Sequence, residues 1–418
     1  MPDRILTTHA GSLPRPEDLI ALNERRASGE FTDEDEYARR LSEAVADVVD
    51  RQRETGIDLV NDGEHGHSMG QRYDYGTWWT YVFQRLGGVD LTQMTISDIP
   101  QATAKPGEVT LASFGERRDW VAFAEAYGDP ASGASVPNRS RSFAPVCRGP
   151  ITYHGQADVQ RDIADMKAAM AAAGIDDGFL NAVAPGSAAR FGNEYYADDD
   201  EMLQACADAM REEYTAVIDA GLMLQLDDPC IAENWDQINP APSVEDYKRF
   251  TMKRVEALNY AIRGLPPERI RFHLCWGSWH GPHVTDIAMR DIADVMLAVH
   301  AHAYSFEAGN VRHEHEWKVW QDIKLPDDKV LLPGVVSHAT NVVEHSELVA
   351  ERILRFANLV GRERVIASTD CGLGGRVHAD IAWAKLEALT EGAALATRQL
   401  WRCTIRAAAA RRNARANG

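Results

Sequence analysis

His273 and Cys275 stand two apart in the run IRFHLC, while Glu307 and Cys371 close two other short runs, AYSFE and ASTDC. Zinc accepts thiolate, imidazole and carboxylate together in a tetrahedral site, whereas magnesium and calcium select oxygen. Alternate residues of a strand point to one face, so His273 and Cys275 can aim inward together. Glu307 and Cys371 would arrive at the same level from neighbouring strands and complete a four-ligand zinc site. The His-x-Cys pair also has a plainer reading, because a free cysteine often serves as a small core residue.

Acidic residues end comparable runs. Asp62 and Glu64 follow DLVN at alternate positions, and Asp227 and Asp228 precede Pro229 after LMLQL. Such carboxylates suit the ammonium group of an amino-acid-like thiol; equally, they could cap the next helix or pair with arginine. Thr8, His9 and Ser12 follow the first run in the same way. Cys147, Cys206, Cys230 and Cys403 lie in helical patterns or lack a partner at a strand end and are read as core or surface thiols. His280, His283, His300, His302, His313, His315, His345 and His378 are placed on helices or loops and given no chemistry.

These residues need a scaffold that brings strand ends together. Eight short β-branched or apolar runs, near 5–9, 58–62, 179–184, 222–227, 270–275, 302–307, 330–335 and 365–370, alternate with amphipathic helical patterns such as EDEYARRLSEAVADVVDRQRETG. That alternation predicts an α/β fold, a TIM (β/α)8 barrel, whose chemistry sits at the C-terminal ends of the strands. Residues 1–418 are read as one barrel domain with an insertion after strand two, at about 84–146, where turn formers and polar residues interrupt the pattern. APVCRGPITYHG would be an extra strand pair, since counting it in the barrel would make nine. The segment 73–83 carries six aromatics in eleven residues and would either line a substrate pocket or anchor the insertion.

Bulk composition narrows the partners. A chain of 418 residues with 45% hydrophobic and 26% charged content can bury a large core. Forty-four basic against 63 acidic residues give a net charge of −19, which opposes nucleic acid and anionic membranes. The start MPDRILTTHAGSLPRP has no apolar leader, and no stretch of about 18 apolar residues could span a bilayer. The expectation is a cytoplasmic protein with small-molecule partners and no nucleic acid or membrane; a homo-oligomer is compatible with the sequence. Six thinly spread cysteines do not form a disulfide framework.

The ordered set TTHAGSLPRP, NDGEHGHSMG, LQLDDP, FHLCWG, SFE, LLPGVVSHATNVVE and ASTDCGLG resembles the catalytic barrel of cobalamin-independent methionine synthase, from about residue 5 to 400. The resemblance implies zinc ligands His273, Cys275, Glu307 and Cys371, and homocysteine contacts at Ser12 with the backbone near Ala10, at Glu64 and at Asp227. It also implies that the strand after the insertion is FLNAVAPG. Full-length members carry a second, N-terminal barrel that helps bind polyglutamylated folate; one set of eight βα units is read here, and the charge disfavours such a tail. Where the synthases have Asp-Ile-His-Ser, with a histidine for proton transfer, this sequence has GVVSHATN, and His338 falls one position earlier. The single-barrel epoxyalkane:coenzyme M transferases belong to the same superfamily.

The reaction common to both groups is zinc activation of a thiol as thiolate for attack on an electrophilic carbon. The leading expectation is methyl transfer to homocysteine or a similar thiol. The alternatives are alkyl transfer from an epoxide or other electrophile to a thiol, and a non-catalytic zinc or thiol-binding protein. Asp62, Glu64, His9 and His338 are the candidates by position for the acid that neutralises the leaving group, a role that typically contributes about 10²–10⁴-fold.

Overall fold

The computed structural model describes residues 3–28, 30, 33–67, 77–94, 109–111, 114–134 and 142–416. Its strands are β1 (Leu6–Thr7), β2 (Val60–Asn61), β3 (Leu86–Met94), β4 (Ser142–Tyr153), β5 (Gly178–Val183), β6 (Gly192–Asn193), β7 (Met223–Asp227), β8 (Ile270–Leu274), β9 (Ala303–Phe306), β10 (Val330–Val336) and β11 (Ile366–Thr369). Eight of them form one parallel sheet in the order β1-β11-β10-β9-β8-β7-β5-β2. Every run expected as a barrel strand falls on one of these eight. The sheet curls, and the segment before β2 bonds to the chain at β1: Thr7 O accepts from the N–H groups of Asp58 and Leu59, and Thr8 Oγ1 donates to Leu59 O at 3.0 Å.

The helices outside the sheet follow from local sequence. The helix Glu34–Thr55 begins where the Asp33 side chain accepts from Glu36 N at 2.9 Å, and three acids in its first turn complement the positive end of the helix dipole. Leu41, Ala44, Val45, Val48 and Val49 form its buried stripe, and Gly56, at φ +89°, ends it in the left-handed region. Each such buried valine or leucine stabilises by roughly 1.5–3 kcal/mol.

The sheet itself alternates in an informative way. Leu180, Ala182, Leu224, Leu226, Phe272 and Leu274 point outward into the main apolar core. The intervening positions are polar: Asn181 pairs with Gln225, Gln225 with Arg271, Asp227 with His273, and His273 with Ser305. Parallel strands in register place these side chains on one face. The inside of the curled sheet is therefore built from hydrogen-bonding groups, stacked in two rows below the C-terminal mouth. Arg271, fully buried, donates to Thr8 Oγ1 and His9 O and lies 3.8 Å over the Phe179 ring.

Between β2 and β5 the chain forms part of a second, three-stranded sheet, with β3 antiparallel to β4 and β4 parallel to β6. The expected extra strand pair near CRGPIT is instead one strand that pairs back onto Leu86–Met94. This side sheet continues to Tyr153, past the boundary expected near 146, and recruits β6 from beyond β5. Of the aromatic segment 73–83, residues 73–76 lie outside the described residues. The remainder anchors: Tyr81 stacks on His67 with centroids 3.8 Å apart and donates to Glu213 at 3.0 Å, and Trp79 meets Phe83 edge-on.

A buried ion cluster fastens this region to the barrel helices. Arg85 pairs with Asp162 at 2.5 Å and with Glu213 at 3.1 Å, and Tyr153 donates to Glu213 at 2.6 Å. Replacing Arg85 with leucine leaves Glu213 buried without a counter-charge and Asp162 with only Arg161, at 3.3 Å, a loss that typically costs about 3–5 kcal/mol. Urea unfolding of Arg85→Leu should show a loss of that order; a change below about 1 kcal/mol would remove the cluster from the account of what holds the side sheet in place.

Candidate metal centre

The in-register row Asp227–His273–Ser305 sets the floor of the site. His273 Nδ1 lies 3.1 Å from Ser305 Oγ, and its Nε2 is buried with no hydrogen-bond partner. A serine oxygen on one ring nitrogen with the other left bare is how ligating histidines are oriented. The ligand atoms of His273, Cys275 and Cys371 lie within 4.8 Å of one another. Burial opposes charge on His273, yet Cys371, Asp227 and Glu307 together hold its pKa above the ordinary value. Cys275 and His273 beside Cys371 hold that thiol well below the usual range. Two sulfurs and a bare imidazole nitrogen make a soft donor set that fits zinc.

Glu307 is not in that group of three. Its ligand atoms cluster instead with those of His338 and Asp370, again within 4.8 Å. Oε1 accepts from Trp276 N at 2.9 Å and Oε2 from Asn310 Nδ2. Each carboxylate oxygen keeps a further lone pair, so these bonds leave it able to act as a ligand. Burial, with Asp370 and Cys371 close by, raises the Glu307 pKa to about 8, while His313 opposes the rise. Asp370 Oδ1 accepts from the N–H groups of Ala308 and Gly309 at 2.7 Å each, tying the loop after Glu307 to the residue before Cys371. Gly334 permits this approach, because a Cβ there would collide with the Asp370 backbone.

The acids and Ser12 form the other side of the mouth. Asp227 accepts from Asn181 Nδ2 at 2.9 Å and Gln225 Nε2 at 2.8 Å, and the same two amides donate to Ala10 O. Burial and Glu64 raise the Asp227 pKa to about 7. Glu64 sits at φ +56°, a left-handed conformation unusual for a non-glycine residue, with Oε2 buried, without a hydrogen bond and 3.8 Å from His67 Nδ1. Gly11, at φ +148°, makes room for it, since a Cβ there would strike the Glu64 carboxylate. Ser12 O accepts from Leu373 N and Gly374 N, which docks the first loop on the loop after Cys371. Asp62 Oδ1 accepts from Glu64 N at 2.9 Å.

Two expected site residues are assigned other work. Asp228 faces away from Asp227, accepting from Ser187 Oγ at 2.8 Å and Cys230 Sγ at 2.7 Å, because successive residues of an extended chain point to opposite faces. It belongs to the packing behind the sheet. His9 has both nitrogens engaged, Nε2 with Gln52 Oε1 at 2.8 Å and Nδ1 accepting from Gly11 N, and burial lowers its pKa to about 4. Neither nitrogen is left for a leaving group. His338 is different: Nδ1 is buried without a partner, and burial lowers its pKa to about 3, so the ring is neutral.

Sequence reasoning missed Ser305, Asn310, Asp370 as a loop clamp, and the histidines His283 and His313, both of which reach Asp286. Strand register alone could have pointed to Ser305. It also missed how the segment after residue 114 bears on the mouth. Asp119 accepts from His283 N and Val284 N, and Trp120 and Tyr127 pack on Trp279, in the loop that starts at Cys275.

The family model for the catalytic domain of cobalamin-independent synthase matches residues 139–394, a span containing His273, Cys275, Glu307, His338 and Cys371 but not Ser12, Asp62 or Glu64. The chain is 22% identical over 427 residues to 2-hydroxypropyl-CoM lyase of Xanthobacter autotrophicus, covering 95% of this chain and 96% of that protein. It is 25% identical over 213 residues to methionine synthase of Saccharolobus solfataricus, covering 50% of this chain and 55% of that protein. Among solved structures, a B12-independent methionine synthase from Shewanella sp. W3-18-1 matches with TM-score 0.69 at 18% identity, covering 95% of this chain and 99% of that one. A putative vitamin-B12 independent methionine synthase from Listeria monocytogenes gives 0.59 at 18% identity, covering 94% and 98%. These likenesses establish a shared fold.

Two outcomes follow from the geometry. Cys275→Ser and Cys371→Ser should each lose most bound zinc, read by elemental analysis of folded protein; a variant retaining a full complement would take that cysteine out of the donor set. Burial raises the Asp62 pKa from 3.8 to about 6, so the wild type loses stability as pH rises from about 4 through 6, where only the unfolded chain ionises. Asp62→Asn keeps the acceptor for Glu64 N and avoids this cost. Its advantage in denaturant midpoint should be absent near pH 4 and reach the order of 1–3 kcal/mol above pH 7.

Proposed function

The chain belongs to the cobalamin-independent synthase catalytic-domain family, and from that premise we propose that it transfers a methyl group to the thiol of homocysteine or a closely similar amino-acid thiol. We read the curled sheet as a (β/α)8 barrel, residues 1–418 as one domain, and the segment at about 84–146 as an insertion after its second strand. Zinc would be held by His273, Cys275, Glu307 and Cys371, and when bound it supplies an acidified thiol as the nucleophile.

The observation that carries the reading is a buried carboxylate, Glu64, whose Oε2 accepts no hydrogen bond and has only the more distant His67 Nδ1, at 3.8 Å, across the mouth from a largely buried donor set of two thiols and an imidazole. A group that attracts a cation and a group that attracts a thiol are what an aminothiol requires. Glu64 and Asp227 would take the ammonium group. Ser12 and the Ala10 backbone border the same space, and Asn181 and Gln225 hold Asp227 in its orientation. Arg271 lies beneath this layer and offsets part of its negative charge. His338, neutral and with Nδ1 unengaged, would carry a proton at that atom on the side of Cys371, and Asp62 is the other candidate for the leaving group's proton.

A second reading is favoured by the full-length likeness to 2-hydroxypropyl-CoM lyase: alkyl transfer from an epoxide or other electrophile to a thiol. Buried carboxylates at the thiol end disfavour a sulfonated thiol such as coenzyme M, since like charges in a dry site repel strongly.

Zinc-loaded protein incubated with homocysteine or coenzyme M, each with methylcobalamin, a methylfolate or epoxypropane, should yield methionine from a methyl donor, identified by mass spectrometry. A hydroxyalkyl thioether of coenzyme M would select the second reading. Thiol binding with no thioether from any donor would leave a non-catalytic zinc or thiol-binding protein. Glu64→Gln should raise KM for homocysteine at least 10-fold with a smaller effect on kcat; an unchanged KM would exclude Glu64 from the ammonium site.

A further inference from the structure

Both oxygens of Glu307 are held by groups that touch one residue, His313: Trp276 stacks on its ring, and Asn310 accepts from its backbone N–H. Trp276 N donates to Oε1, and the Trp276 indole lies flat against the His313 imidazole, with centroids 4.0 Å apart and planes 24° apart. Asn310 Nδ2 donates to Oε2, and Asn310 Oδ1 accepts from His313 N at 3.1 Å and Arg312 N at 2.9 Å. His313 stands behind both donors.

The His313 ring is fixed in turn. Nδ1 lies 2.8 Å from Glu316 Oε2 and Nε2 lies 3.1 Å from Asp286 Oδ2, so carboxylates flank the imidazole on both edges. Glu316 Oε1 also accepts from Met289 N, and Asp286 Oδ1 lies 3.3 Å from His283 Nδ1, whose ring stacks on Trp279. Rotating the His313 ring would break both contacts and unstack Trp276. Groups that orient a metal ligand in this way typically change metal affinity 10–100-fold when removed.

We propose that His313 is a positioning residue for Glu307, its ring setting the direction of that carboxylate through Trp276. The inference rests on the reading of Glu307 as a zinc ligand and concerns that carboxylate; His273 is oriented separately, by Ser305.

The test uses the full chain loaded with zinc, and with cobalt as a spectroscopic substitute, in Glu307→Gln, His313→Ala, His313→Gln and the double variant E307Q/H313A. The readouts are zinc release to a chromophoric chelator, the visible cobalt spectrum and the thermal midpoint. His313→Ala should keep a full zinc complement, release it about 10-fold faster or more, and alter the cobalt spectrum as Glu307→Gln does. His313→Gln, which can still reach one of the two carboxylates, should recover part of the loss. It decides alone if the alanine variant does not fold.

The double variant should release zinc no faster than Glu307→Gln, because the two substitutions remove one interaction. Multiplied rates in the double variant, with a lowered thermal midpoint, would show that His313 acts on the fold and overturn the proposal. Normal release and spectrum in both His313 variants, while Glu307→Gln is impaired, would also overturn it. If Glu307→Gln itself changes neither readout, the ligand reading fails, and with it the premise.

Discussion

The register of the parallel sheet is the constraint on which the site depends. Because β7, β8 and β9 pair without offset, Asp227, His273 and Ser305 share one level on the inner face. A slip of one residue on β8 would turn His273 toward the helices and bring Phe272 inside. That alternative is opposed by the outer face, where Phe272 and Leu274 are buried in the main core. Apolar packing outside the sheet thereby determines the polar arrangement inside it.

Filling the inner face with Asn181, Gln225, Asp227, Arg271 and His273 is expensive, since each buried polar group needs a partner to offset lost hydration. Most have one, and the partners are largely backbone groups of the loops above. Asn181 and Gln225 donate to Ala10 O, Arg271 to His9 O, and Thr369 Oγ1 joins Ala10 N to Cys371 O. The inner rows thus both present functional groups and tie down the first loop. The buried atoms left without partners include His273 Nε2, Glu64 Oε2 and His338 Nδ1, and all three belong to side chains at the mouth.

The loop that starts at Cys275 is braced from two directions. Trp276 is stacked on His313 from the β9 side, and Trp279 is packed against Trp120 and Tyr127 from the segment between β2 and β5. A thiol ligand at the head of a loop keeps its geometry only if the loop does. The region that looks least like a barrel in the sequence is therefore joined to its centre through aromatic packing and the Asp119 carboxylate.

Much of this was legible in the chain itself. Strand positions followed from β-branched runs alternating with helical periods, and His273, Cys275 and Cys371 stood out by residue type at strand ends, because both signals are local. What sequence could not supply was direction across space. Asp227 and Asp228 are equivalent as neighbours in sequence, but only the register shows that one faces the mouth and the other packs behind the sheet against Ser187 and Cys230. His9 sits at a strand end like the rest, yet Gln52 and the Gly11 N–H occupy both its nitrogens. Glu307 was expected beside the sulfurs, but the hydrogen bonds from Trp276 and Asn310 that aim its carboxylate, with His313 next to both, could not be read from the sequence. Residue type and period determined which groups this protein can bring to a site; the pairing of strands and loops distant in sequence decided which of them face one another.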